Sequence, residues 1–92
     1  MANIEVDRVP SAPTADVFRV TVTDGGTTSE HRVTVTAPAP EVAARYPSLE
    51  VFVTACFAFL LEREPKESIL SSFEIRDIGR YFPGWERQLA DA

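Results

Sequence analysis

Two stretches decide the fold, Val17-Phe18-Arg19-Val20-Thr21-Val22-Thr23-Asp24 and Glu30-His31-Arg32-Val33-Thr34-Val35-Thr36. In the first, Phe18, Val20 and Val22 alternate with Arg19, Thr21 and Thr23. In the second, His31, Val33 and Val35 alternate with Arg32, Thr34 and Thr36. A period of two built from β-branched residues belongs to half-buried strands, packed on one face and wet on the other. Between them Asp24-Gly25-Gly26-Thr27-Thr28-Ser29 reads as a six-residue loop whose glycines supply the positive φ of a reversal. A lone two-stranded hairpin is marginal in water, so a third strand or a covering helix is needed. Ile4–Val9, bounded by Pro10 and Pro13, is the candidate strand.

Composition changes beyond the hairpin. Ala37-Pro38-Ala39-Pro40 is stiff and cannot extend a ladder, and most of the Leu, Ile and Phe lie after it. Pro40-Glu41 opens a short helix that Pro47 ends. Ser48 caps a longer one that runs to about Glu64 and stops at Pro65. Its stripe Leu49, Phe52, Val53, Cys56 and Leu60 leaves Phe57 and Leu61 on another face. A helix apolar nearly all round must be central, or must bury its second face against another chain. Residues 66–71 form a third short helix. Ser71 and Glu74 have capping-box spacing ahead of Ile75, Ile78, Phe82, Trp85 and Leu89, with a break at Pro83-Gly84.

The expected architecture is a single α+β domain over 1–92. A hairpin or three-stranded antiparallel sheet (3–9, 17–24, 30–37) precedes three to four helices (40–46, 48–64, 66–71 and 73–90).

The chain has 92 residues and a mass of 10.2 kDa, with 45% apolar and 25% charged side chains. That is ordinary globular composition. Fourteen Asp+Glu against nine Lys+Arg give a net charge of −5, which disfavours general affinity for nucleic acid or anionic lipid. One cysteine cannot form an internal disulfide, and one cysteine with one histidine does not make the usual zinc sets. Met1-Ala2-Asn3-Ile4-Glu5 lacks the basic and apolar regions of a signal peptide, and Val51–Leu61 is too short to span a bilayer. A cytoplasmic protein without membrane partners is expected.

Chemistry-bearing residues have plain structural readings. Cys56 is mid-helix between Ala55 and Phe57, where cysteine packs as a small hydrophobe. His31 shares the phase of Val33 and Val35 and reads as a partly buried strand-end residue. Glu62, Glu64, Glu67, Glu74 and Asp77 interleave with Arg63, Lys66, Arg76 and Arg80, as on a solvated helix face. Asp24-Gly25-Gly26 joins strands and matches no phosphate-binding pattern. No catalytic residue, metal ligand or cofactor follows from the sequence.

Ser72-Phe73-Glu74-Ile75-Arg76-Asp77-Ile78-Gly79-Arg80-Tyr81-Phe82-Pro83-Gly84-Trp85-Glu86 resembles the ending of small uncharacterised bacterial proteins. The resemblance covers about a sixth of the chain and implies no activity.

Three functions remain. The first is a non-enzymatic protein-interaction or regulatory module, docking a protein partner or a second copy as a homodimer. Its contact residues would be Phe57, Leu61, Tyr81 and Trp85, large apolar groups of the kind that anchor interfaces. The second is a helix-turn-helix-like nucleic-acid regulator with Arg76, Arg80 and Arg87 on phosphates, against which the acidic balance speaks. The third is a small enzyme or ligand carrier using His31 or the acidic cluster.

Overall fold

The computed structural model describes residues 2–10 and 13–91. Strands β1 (Asn3–Val9), β2 (Ala15–Asp24) and β3 (Thr27–Thr36) form an antiparallel meander. A 3₁₀ turn at Glu41–Arg45 leads to helix α1 (Leu49–Leu61), and another at Lys66–Ser68 leads to β4 (Ser72–Glu74). The chain closes with a 3₁₀ turn at Ile75–Asp77, helix α2 (Ile78–Tyr81) and helix α3 (Trp85–Asp91). The sheet order is β1-β2-β3-β4, with β4 parallel to β3. The fold is α+β, as the order of patterns predicts.

Register follows the alternation. Ile4 faces Val22 and Val6 faces Val20, while Phe18 lies opposite Val33 and Val20 opposite His31. Phe18, Val20, Val22, Val33 and Val35 are therefore buried on one face, in one apolar cluster with Phe52, Val53, Phe57 and Leu60 of α1. The connection between β2 and β3 is shorter than the six residues expected. Asp24 already pairs with Thr27, so only Gly25 and Gly26 turn the chain. Both have positive φ, 62° and 83°, the geometry of the tight turn that matches strand twist. Thr27, Thr28 and Ser29 prolong β3, since β-branched residues suit an extended ladder.

Ser48 caps α1 by accepting the Val51 N–H at 3.1 Å, and the Thr54 hydroxyl donates to the Glu50 carbonyl at 2.8 Å. The helix is central, and its second apolar face is covered within the chain. Phe57 lies 5.3 Å from the His31 ring and 6.0 Å from that of Phe73, while Phe52 meets Trp85 at 6.3 Å and Phe59 meets Phe82 at 5.8 Å.

Two helical expectations are corrected between 65 and 77. Residues 66–71 make only a three-residue 3₁₀ turn, and the helix expected from 73 begins instead as strand β4. The capping box is displaced to Glu74 and Asp77: Glu74 accepts the Arg76 N–H at 2.6 Å and Asp77 accepts the Glu74 N–H at 3.2 Å. Phe73 is buried beside Val33 by joining the sheet, and that burial outweighs the helix signal of Ser71 and Glu74.

Candidate functional site

The segment 65–71 crosses from α1 back to the sheet and is fastened at both ends. Near its start Lys66 is almost wholly buried, an uncommon place for an ammonium group. Its Nζ donates at 2.5 Å to the Thr27 hydroxyl and at 2.5 Å to the Glu67 carboxylate, which answers the desolvation of the charge. That hydrogen bond holds the Glu67 carboxyl below its ordinary range. Near the end, His31 Nδ1 donates to the Leu70 carbonyl at 2.8 Å. A carbonyl can only accept, so in the neutral ring the proton is on Nδ1 and Nε2 accepts from the Ser29 hydroxyl, also at 2.8 Å. His31 is thus a core residue, buried more deeply than the strand-end position expected, because β4 and the 65–71 segment cover it.

These fastenings set one wall of a groove. Leu60, Ile69, Phe73, Ile78 and Phe82 supply apolar sides around about 120 Å³ of space. Glu64 and Asp77 line it as well, and Leu70 and Tyr81 stand at its margins. Tyr81 is 64% exposed and Leu70 48% exposed; the third large apolar residue in that state, Val51, lies outside the groove. Two outward apolar side chains beside a concave apolar surface form the strongest candidate site in the described residues.

The four contact residues expected from sequence do not come together. Phe57 and Trp85 are core residues, buried against His31 and Phe73 and against Phe52, so neither is available to a partner. Leu61 is half-buried against the core. Only Tyr81 lines the groove. Leu70 and Ile69 were missed because they fall in a segment without periodicity, and Leu70 reads there as an ordinary helix end.

Two of the three arginines expected on phosphates have partners within the fold. Arg76 donates to the carbonyls of Thr36, at 3.2 Å, and Pro38, pinning the end of β3. Arg80 Nε lies 3.6 Å from Asp77. Arg87 lines a separate hollow with Glu41, Arg45 and Glu86. The helices around Pro83-Gly84 are four and seven residues long.

Cys56 is fully buried, and burial pushes its thiol far above the ordinary range, with the charge of Glu86 adding to the rise. Among the described residues, no three His, Cys, Asp or Glu side chains are grouped to hold a metal ion. Within the same residues no helix is long and apolar enough to cross a membrane. Comparison with protein-family models, with curated proteins and with solved structures finds no match to this chain.

Proposed function

We propose that this chain is a small non-enzymatic interaction module of the cytoplasm that docks a protein partner on the groove between segment 65–71 and α2. The observation that carries the reading is the exposure of Leu70 and Tyr81 at the margins of an apolar concavity. Outward apolar groups beside a pocket are where interface energy concentrates, because a partner side chain gains full desolvation there. Ordering such a wall at the moment of binding would cost affinity; here Lys66 and His31 have ordered it already.

His31 and Cys56, two residues an enzyme reading would use, have structural duties. Both nitrogens of His31 are committed to hydrogen bonds, and the Cys56 thiol is held protonated in the core. Self-association through the outer edge of β1 is disfavoured by charge. Glu5 and Asp7 point to the same sheet face, so an antiparallel copy aligned face to face sets carboxylates opposite one another.

The test is co-purification of the tagged full chain with Leu70→Asp, Tyr81→Ser and Arg32→Ala variants, with and without nuclease. A stoichiometric companion that survives nuclease and Arg32→Ala and is lost in both groove variants is expected. A companion retained by the groove variants, or lost on nuclease treatment, overturns the proposal.

A further inference from the structure

We infer that the groove takes a single large apolar side chain, the size of Leu or Phe, from a short partner segment that carries Lys or Arg beside it. The inference rests on the interaction reading above and names the partner's chemistry. Size is the first argument. A space of about 120 Å³ is close to the roughly 150 Å³ known to admit benzene, so one side chain fills it.

The apolar surface around the groove sets the kind of partner. Stable interfaces bury about 800 Å² on each side, and obligate dimers bury more and are more hydrophobic. Here the large outward apolar groups at the groove are Leu70 and Tyr81 alone. Such a surface suits one anchor on a short segment. It is too small to hold a second folded copy, which would also bring a net charge of −5 against another of −5.

Charge selects the residues next to the anchor. Glu64 and Asp77 are the carboxylates lining the groove. Asp77 faces Arg80 at 3.6 Å, whereas Glu64 is half-buried and its carboxylate has no ion pair among the described residues. A half-buried carboxylate on an apolar wall attracts a cation more strongly than an exposed one, because water screens it less. The Lys66 ammonium is already turned to Thr27 and Glu67. A Lys or Arg one or two positions from the anchor reaches Glu64 and leaves the aliphatic part of its stem over Leu60 or Tyr81.

The experiment is an NMR titration of the isotopically labelled full chain with four seven-residue peptides. Three have a central Phe flanked by Lys, by Ser or by Glu, and the fourth has a central Ala flanked by Lys. The Lys-flanked Phe peptide is expected to shift amide signals of residues 60–82 saturably. It should bind roughly fivefold more tightly than the Ser-flanked peptide, and Glu64→Gln should remove most of that preference. The Glu-flanked and Ala peptides should leave the signals in place. Equal binding of the Lys- and Ser-flanked Phe peptides overturns the charge selection and leaves the groove reading standing. Shifts confined to other residues, or none with any peptide, overturn both. Groove signals that move with protein concentration alone, with a dimeric mass by light scattering, make a second copy the occupant and overturn the inference.

Discussion

His31 Nδ1 donates to the carbonyl oxygen of Leu70 across 2.8 Å, tying the third strand to a residue 39 positions further on. The imidazole is the hinge pin between the sheet and the groove wall: its ring packs on Phe57, and its other nitrogen accepts a hydrogen bond from the Ser29 hydroxyl. Replacing it with Leu keeps apolar volume and removes both hydrogen bonds. His31→Leu should therefore lower stability by about 1–3 kcal/mol, the cost of leaving Leu70 O and Ser29 Oγ without partners. Urea unfolding measures that loss. Amide exchange separates it from a general weakening, because residues 69–71 should lose protection more than β2 does. Equal loss throughout the sheet would mean that His31 does not hold the wall.

The turn between β2 and β3 isolates backbone geometry from packing. A Cβ on Gly25 or Gly26 would meet nothing within 4 Å, so the demand at both positions is their positive φ alone. Asn tolerates that region and favours the first of the two turn positions, whereas a β-branched residue does not. Gly25→Asn should change stability by less than about 0.5 kcal/mol, and Gly26→Val should cost about 1–2 kcal/mol. Thermal melting of the two variants side by side tests this. Similar losses in both would refute the turn geometry.

How much was legible in the sequence follows from the reach of each interaction. Phe18 to Val22 and Val33 to Val35 announce their buried face because strand periodicity is local. Ser48 announces α1 for the same reason. Phe73 does not announce β4, since three residues cannot display a period and its partner Val33 lies forty positions earlier. The groove was almost unreadable. Its wall depends on Lys66 meeting Thr27 and His31 meeting Leu70, contacts that exist only after α1 has carried the chain across the sheet. Trp85 and Tyr81 look alike as aromatics four apart, yet one is buried on Phe52 and the other is outward. Burial on that helical stretch is decided by which side of it meets α1.

Cys56 provides a reporter of global opening. Its thiol is fully buried and its ionisation is pushed far up by loss of water, so thiolate is scarce in the folded chain. Reaction with a disulfide reagent at pH 8 should be slow in native conditions and become immediate in denaturing urea. Its native rate should track the unfolding free energy across the other variants. Fast native labelling would place Cys56 at a local opening instead.

Arg8 couples β1 to the start of α1, donating to Glu50 from Nε at 3.3 Å and Nη2 at 3.4 Å, and also to Asp16. Its hydrogen bond, helped by the Glu50 backbone N–H, holds the Glu50 carboxyl below its ordinary 4.5. A depressed carboxyl stabilises the fold at pH values above 4.5, and the gain is lost as pH falls through the lower folded value. The side chains are 43% and 39% exposed, so water screens the pair and the gain is about 0.5 kcal/mol or less. Glu50→Gln should lower the urea midpoint at pH 7. The gap should narrow as pH falls below 4.5 and shrink in high salt. A gap that does not narrow with falling pH would assign the loss to packing.

Gly79 is constrained by a neighbour, the opposite case from the turn glycines. A Cβ there would lie 3.2 Å from Nε1 and 3.5 Å from Cδ1 of Trp85, so a methyl group on α2 requires the indole to give by a few tenths of an ångström. In a free helix Gly→Ala is favourable by about 1 kcal/mol. Here the indole is 3% exposed with Phe52 6.3 Å from its ring, and it has little room to retreat. Overpacking of a closed site costs about 1–3 kcal/mol, which outweighs the propensity gain. Gly79→Ala should therefore destabilise the fold by up to about 2 kcal/mol and shift the fluorescence of the single tryptophan. Trp85→Phe should relieve the crowding, so the double variant should lose less stability than the sum of the two single changes. Additive losses in that cycle would show that the methyl group does not meet the indole.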